Sequence, residues 1–269
     1  MLWIIGAICA LVVSGVAYWK KSLTLSGAIA ATVMGTIYFA AGHLFWFGIL
    51  LVFFVSGSVL SKYKQSHKSE LEQSYAKTGR RDAGQVLANG GLGMLLCLAN
   101  AIWPHSGWAY AYIGIMATVT ADTWATELGS LSRKPPRSVL NGRKLLAGTS
   151  GGVSLLGTMA AAVGGAMIGG FAWLFEVGSG TPDPSLLKWL LVGLIAGLVG
   201  AFTDSILGAS LQVMYKCHVC EKDVEVLHHC GQATVKIRGL NVMNNDAVNI
   251  WSSILGGCAA LVIAILMGL

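Results

Sequence analysis

Two aspartates stand inside otherwise apolar stretches of this sequence: Asp122 in Thr120-Ala-Asp-Thr-Trp-Ala-Thr-Glu-Leu-Gly129, and Asp204 in Thr203-Asp-Ser-Ile-Leu-Gly-Ala-Ser-Leu-Gln212. An ionised carboxylate inside a bilayer costs at least about 2.5 kcal/mol on insertion scales, so each marks a candidate functional position. Both fall near the C-terminal ends of the helices expected to carry them. The helix dipole disfavours an acid there, so a metal ion or a basic partner is the expected compensation. Asp122 and Thr126 are four apart and share a helix face. Glu127 is rotated from Asp122 by about 140° at 3.6 residues per turn, and is expected to face a different neighbour or the headgroup layer.

Other polar groups fall at the same level. Asp82, Gln85 and Asn89 open one expected span, and Asp246 and Asn249 open another. Ser56, Ser58 and Lys62 close a third, and Thr149, Ser150 and Ser154 begin a fourth. An acid such as Asp246 near a helix start also has a plain capping role, accepting from free N–H groups. The run Gly148-Thr-Ser-Gly-Gly-Val-Ser154 follows a basic loop and is expected at a helix start, where main-chain N–H groups could cradle a phosphate. Carboxylates hold Mg²⁺, and Mg²⁺ with Lys, Arg and helix N-termini neutralises nucleotide phosphates. No Gly-x4-Gly-Lys-Ser/Thr string is present, so the Walker-type phosphate loop is not the route.

A separate cluster reads Cys217-His-Val-Cys220, then His228-His-Cys230-Gly231. In a reducing loop these types and spacings suit Zn²⁺, with Cys217, Cys220, His229 and Cys230 as the expected tetrahedral set and His228 as a substitute. Four protein ligands close the coordination shell, so the expected role is structural. The plainer reading is free thiols in a polar loop. Cys9, Cys97 and Cys258 lie in apolar segments, which argues against a disulfide framework.

The elements that position these residues follow from composition. Of 269 residues, 55% are hydrophobic and 11% charged, with a mean hydropathy of +0.67. A soluble domain carries about 25% charged residues. A bilayer absorbs this much apolar surface; a soluble core does not. Apolar runs of about 18 residues or more mark spanning helices, and the chain supplies eight, at 2–19, 25–42, 44–61, 83–103, 108–131, 151–175, 187–212 and 247–268. The first run lacks the basic start and small-residue cleavage site of a signal peptide, and so reads as a span. Gly, Ala and Ser recur within the runs, as from Ala160 to Gly170. Small residues let helices approach closely in lipid, which predicts a tight all-α bundle.

Lys and Arg concentrate in alternate connections. Lys20 and Lys21 follow the first span, and Lys62, Lys64, Lys68, Lys77, Arg80 and Arg81 follow the third. Arg133, Lys134, Arg137, Arg143 and Lys144 follow the fifth, and Lys216, Lys222, Lys236 and Arg238 the seventh. Cytoplasmic loops are the Lys/Arg-rich ones, so these four are expected in the cytoplasm and both termini outside. The net charge of +6 therefore reflects topology first, and anionic lipid or a phosphorylated substrate second. The domain organisation expected is a single transmembrane unit over 1–269 with a cytoplasmic, zinc-binding insert at 213–245.

The strings Gly79-Arg-Arg-Asp-Ala-Gly-Gln-Val-Leu-Ala-Asn-Gly-Gly91, Ala121-Asp-Thr-Trp-Ala-Thr-Glu-Leu-Gly129, Gly148-Thr-Ser-Gly-Gly-Val-Ser154, Thr203-Asp-Ser205 and Asn244-Asn-Asp-Ala-Val-Asn249 together resemble the transmembrane protein 19 family. That family includes the plant phytyl-phosphate kinase. The Asp-bearing helix, basic loop and Gly-Thr-Ser-Gly turn are more loosely similar to dolichol kinase and other CTP-using lipid enzymes. Those enzymes tend to carry a Lys-Thr-x-Glu-Gly type segment where Gly-Thr-Ser-Gly stands here. The Cys cluster looks like a feature of bacterial members, which implies a bacterial cell membrane.

The resemblance implies a prenyl-phosphate kinase, moving a phosphoryl group from CTP or another nucleoside triphosphate to an isoprenyl monophosphate at the cytoplasmic face. Asp122 and Asp204 would hold Mg²⁺, with Asn89 and Asp246 as supporting ligands or orienters. Lys62, Arg80, Arg81, Arg133 and Arg137 would contact phosphates, Thr149, Ser150 and Gly151 would cradle them, and Asn245 and Asn249 would bind the nucleotide. The partners implied are the lipid phosphate, the nucleotide and membrane lipid, with no nucleic acid, and with a homodimer as an option. The competing readings are a CTP-dependent cytidylyltransferase acting on a lipid phosphate, and an ion-coupled transporter. A transporter carries its acids near the midplane, whereas here they gather at one interface.

Overall fold

The computed structural model describes residues 1–65, 79–180 and 185–268; Lys68 and Lys77 of the expected basic loop lie outside them. Its helices are α1 (Leu2–Trp19), α2 (Leu25–Lys62), α3 (Ala83–Ile102), α4 (Ser106–Gly129), α5 (Leu155–Gly178), α6 (Leu186–Ser210) and α7 (Asn245–Leu266). Large apolar side chains stand exposed along their outer faces, among them Ile4, Ile8, Leu11, Val33, Val59, Leu95, Val163 and Val262. In a membrane protein that surface meets lipid tails.

Helix α2 has 38 residues, about 57 Å of rise against a hydrocarbon core of about 30 Å. It is not one rod. His43 adopts φ 56°, ψ −154°, and the chain reverses there. The reversal is visible in what the two ends touch. Lys62 Nζ, at the end of α2, donates to the Lys20 carbonyl at 2.6 Å. Arg81 accepts from the Thr24 amide at 3.0 Å through its carbonyl and donates to Ser58 Oγ at 3.1 Å through its guanidinium. The two arms match the spans expected at 25–42 and 44–61. Six of the seven helices among the described residues are long and apolar enough to cross a membrane, and with the two arms of α2 counted separately the number is close to the eight expected.

Helix α4 sits at the centre. Its eleven residues from Ala111 to Ala121 are all buried, and it packs against α2, α3, α5, α6 and α7. Because it faces protein rather than lipid all round, it tolerates Thr118, Thr120 and Asp122 on its way to the polar end. The same shielding explains why it is less apolar than the six helices whose length and hydropathy alone mark them as spanning.

Close approach depends on glycine where α5 meets α6. A Cβ on Gly165 would lie 2.6 Å from the Gly193 carbonyl oxygen, and one on Gly197 would lie 2.9 Å from Gly165 Cα. Gly165 and Gly169 thus face Gly193 and Gly197, two small-xxx-small pairs in contact. Backbone on both sides leaves nothing flexible to move. Gly165→Val is therefore expected to destabilise the bundle by about 3 kcal/mol, at the upper end for overpacking. A thermal unfolding series in detergent checks this; an unchanged midpoint would mean that the helices do not meet there.

Two expectations about helix starts are corrected. The span expected from 151 begins at Leu155, where Ser154 Oγ accepts from the Gly157 amide at 3.1 Å. Gly148 and Gly151 have φ of 85° and 83°, which no helix allows. The Gly148–Ser154 run is instead a turn leading into β2 (Gly152–Val153), antiparallel to β1 (Arg137–Ser138). Nor does Asp246 cap α7. Asn244 does, its Oδ1 accepting from the Ala247 amide at 2.9 Å, while Asp246 falls in the first turn.

The insert between α6 and α7 is ordered into short strands rather than open loop. There β3 (Met214–Lys216) lies between β4 (Asp223–Val224) and β7 (Val235–Arg238), and β5 (His228–His229) pairs with β6 (Gln232–Ala233). This insert, the β1–β2 hairpin and the ends of α2 lie at one face of the bundle. Residues 1 and 268 lie at the opposite face, where Lys188 Nζ donates to the Met267 carbonyl at 2.9 Å.

Candidate functional site

At the face carrying the basic connections, the helix ends enclose a cavity of about 580 Å³. Asp122 projects into it from the last third of α4, and Asp204 from the last third of α6. Ser252 of α7 donates to Asp204 Oδ2 at 3.3 Å. Asp204 lies within electrostatic reach of both Asp122 and Glu225. On the neighbouring wall, Asn249 Nδ2 of α7 donates to Asn89 Oδ1 of α3 at 3.4 Å.

Arg81 supplies a buried cation. It is 6% exposed, and its guanidinium lies 5.7 Å from the Phe53 ring centre and 5.8 Å from that of Phe54. Its backbone is pinned by pairing with Leu23. Gly57 leaves room for it, since a Cβ there would lie 2.9 Å from an Arg81 guanidinium nitrogen. The side chain is thus held by two aromatic faces and one hydroxyl before any ligand arrives.

Of the residues expected at the site, the structure brings Asp122, Asp204, Asn89, Arg81, Arg133, Thr149, Ser150, Gly151, Asn245 and Asn249 to this one cavity. Four stand elsewhere. Lys62 is tied to the Lys20 carbonyl. Arg80 donates to the Leu23 carbonyl at 3.1 Å and covers the Tyr18 ring. Arg137 donates to the Gly142 carbonyl at 3.0 Å, inside its own hairpin, and Asp246 is not part of the lining.

Sequence reasoning gave no site role to Glu127, Glu225 and Gln212, and placed Gln85 only at the right level; all four line the cavity. Glu127 does face a different neighbour from Asp122, as its angle predicts, but the cavity wraps around the end of α4 and takes in that face too. There Glu127 Oε1 accepts from Ser61 Oγ at 2.5 Å. Gln85 also closes a capping box with Asp82 at the start of α3. The turn bearing Ser150 is held from below: Ser150 Oγ donates to Gln212 Oε1 at 2.7 Å, and Gln212 Nε2 donates to Glu225 Oε1 at 2.9 Å. Nothing local in the sequence around Glu225 signals that role.

A narrow apolar slot adjoins the cavity between α1, α2 and α3. It is lined by Ala10, Val13, Met34, Phe47, Leu50 and Val86, and it shares Arg81, Gln85 and Asn89 with the polar cavity. The arrangement therefore joins a cluster of hard oxygen donors and cations to a small apolar pocket of about 50 Å³ at common residues.

The ligating atoms of Cys217, Cys220, His229 and Cys230 lie within 4.8 Å of one another and could hold a metal ion. The Cys217 thiol is pulled down to about 6, first by the backbone N–H of Cys220 and then by the His229 side chain. Cys230 is pushed up to about 11, first by desolvation and then by the neighbouring Cys220 and Cys217. Sulfurs this close cannot all ionise unless a cation joins them.

The chain belongs to the integral membrane protein family DUF92, whose model matches residues 8–257. It is 33% identical to Protein PGR of Arabidopsis thaliana over 258 residues, covering 88% of each chain. It is 27% identical to Protein VTE6, chloroplastic, of Arabidopsis thaliana, over 89% of this chain and 64% of that one. An uncharacterized membrane protein of Methanocaldococcus jannaschii is 27% identical over 91% of this chain and 87% of its own length. No solved structure matches the chain.

Proposed function

We propose that this protein is a membrane phosphotransferase that moves the terminal phosphoryl group of a nucleoside triphosphate, with CTP favoured, onto an isoprenyl monophosphate. The carrying observation is the joint between the polar cavity and the apolar slot at Arg81, Gln85 and Asn89. A ligand lying across that joint has a phosphate at one end and the start of an apolar chain at the other, since the slot holds only about 50 Å³. The resemblance to the family of the plant phytyl-phosphate kinase supports the same class of substrate. By the distribution of Lys and Arg, the cavity faces the cytoplasm, where nucleotide is available.

Asp122 and Asp204 would hold Mg²⁺, with Asn89 and Asn249 positioned to add neutral oxygen ligands. Hard oxygen donors of this kind suit Mg²⁺, which keeps several waters and binds through one or two carboxylates plus phosphate oxygens. When bound, the ion would supply positive charge that offsets the negative charge of the phosphates. The residues of the chain do the rest. Arg81 orients the lipid phosphate at the mouth of the slot, Arg133 at the rim meets the nucleotide phosphates, and Thr149 offers a hydroxyl from the turn that Ser150 ties to Gln212. An oxygen of the prenyl phosphate attacks the γ-phosphorus, the bond from that phosphorus to the β–γ bridging oxygen breaks, and nucleoside diphosphate leaves. The attacking oxygen is already anionic, so positioning and charge neutralisation suffice without a strong base.

Purified protein, Mg²⁺, CTP or ATP labelled in parallel at the γ- or the α-phosphate, and a panel of prenyl monophosphates test the reading. Labelled prenyl diphosphate is the expected product. Label reaching the lipid only from the α-phosphate would replace kinase with cytidylyl transfer. No labelled lipid from any pairing, with substrate-driven ion flux in vesicles instead, would make the protein a transporter.

A further inference from the structure

We propose that the insert between α6 and α7 binds Zn²⁺ through the sulfurs of Cys217, Cys220 and Cys230 and through His229 Nδ1, and that the metal-closed insert positions Glu225 and Gln212 at the cavity. The metal site stands whatever reaction the cavity performs.

The donor geometry comes first. Tetrahedral zinc with bonds of about 2.3 Å to sulfur and about 2.0 Å to nitrogen sets ligand-to-ligand edges of about 3.5–3.8 Å. His229 Nδ1 lies 3.4 Å from the Cys220 sulfur and 3.3 Å from the Cys230 sulfur. The fourth atom, Cys217 Sγ, falls within the same 4.8 Å cluster. Three thiolates and one imidazole are soft donors that select zinc over Mg²⁺ or Ca²⁺. On binding, each thiol releases its proton and His229 coordinates as the neutral ring. With four protein ligands no position remains open for substrate, so the role is structural.

The backbone carries the second argument. The ligands come from two tight turns, each strained. After Cys220 the chain turns through Glu221 at φ 57°, and in the second turn Cys230 and Gly231 adopt φ 51° and 75°. The first turn is closed by the Glu221 amide donating to the Cys217 carbonyl at 2.9 Å, and by the Cys217 amide donating to the Lys222 carbonyl at 3.1 Å. Left-handed non-glycine residues cost about 1 kcal/mol or more each and persist only where something over-determines them. The insert has little apolar core to do so: its strands are two to four residues long, and Lys216, Asp223, His228, Gln232 and Val235 stand exposed. Small units of this kind need a staple, and the cluster of ligating atoms is the one they hold.

The link to the cavity runs through one strand. Cys220 leads by three residues into β4, whose Val224 is fully buried. The next residue, Glu225, accepts from Gln212, and Gln212 in turn accepts from Ser150 on the turn at the cavity wall. Gln212 is 3% exposed, and Gly239, at φ 83°, packs so closely on its carbonyl that a Cβ would overlap it. Closing the insert on zinc therefore fixes the Glu225–Gln212–Ser150 chain.

The test uses the full chain in detergent, purified without chelator. Elemental analysis is expected to find one zinc per chain, falling at least tenfold in Cys217→Ser and Cys220→Ser and unchanged in His228→Ala. Replacement by Co²⁺ should give the visible absorption of a tetrahedral thiolate site. Wild-type protein carrying no zinc, or zinc that survives in the Cys217→Ser/Cys220→Ser double variant, overturns the metal site. For the positioning role, hydrogen exchange is compared before and after zinc removal. Exchange is expected to rise in the 148–154 turn as well as in the insert, and Gln212→Ala should reproduce the rise at the turn with zinc retained. A turn whose exchange responds to neither change overturns the positioning role.

Discussion

Asp204→Asn is expected to lower phosphoryl transfer by about 10³-fold or more, and Asp122→Asn by a comparable factor, with the bundle intact. Metal-held charge stabilisation of a phosphoryl transition state is worth several kcal/mol, and each 1.36 kcal/mol is a factor of ten in rate. The exchange of Asp for Asn keeps size and removes one ionised oxygen ligand. Its effect on stability has the opposite sign. Asp204 shares its surroundings with Asp122 and Glu225, so removing one charge relieves like-charge repulsion. The metal-free variant should unfold at the same temperature as wild type or slightly higher.

Mg²⁺ should separate the two proteins further. A ligand at 100 times its dissociation constant stabilises the folded state by about 2.7 kcal/mol, and that gain should shrink in either variant. Turnover and a melting curve with and without Mg²⁺ are the measurements. Activity within a few-fold of wild type in both variants would remove these aspartates from the reaction, whatever the melting curves show.

How much of this was legible in the sequence divides along physical lines. The crossings were, because lipid imposes a length and a composition that each segment satisfies by itself. Even the reversal at His43 agrees with separate spans at 25–42 and 44–61, although the helix is continuous on either side of one residue. Asp122 and Asp204 stood out because a charge among apolar neighbours is costly wherever the helix packs. Glu225 did not, since it sits in a polar insert where acids are ordinary, and only the fold of β4 carries it to the cavity. Arg80 and Arg81 are adjacent and identical in type, yet one covers Tyr18 at the surface while the other is buried between two Phe rings. Sequence offers no means of choosing between them. The Gly148–Ser154 turn was misplaced for a simpler reason: its glycines were read as the opening of a helix, when their positive φ requires that the helix wait for Ser154.

The choice between the two arginines yields the second large effect. Arg81→Gln is expected to reduce kcat/KM for the prenyl phosphate by about 10²-fold, since losing a hydrogen-bonded charge partner in a buried contact costs about 2–5 kcal/mol. Arg80→Gln should leave kcat/KM within about twofold, because Arg80 points away from the cavity and surface charges contribute little. The Lys variant separates charge from shape. Lys at 81 keeps one positive charge but loses the planar fork that meets a phosphate through two N–H groups and lies flat on an aromatic face. It should recover part of the loss, with the remaining deficit in KM for the lipid phosphate rather than for the nucleotide. Arg81 touches both the polar cavity and the apolar slot, so its loss acts on the substrate that spans the two. A deficit confined to the nucleotide KM would place the lipid phosphate elsewhere, and equal effects at 80 and 81 would mean that the basic face acts only by its overall charge.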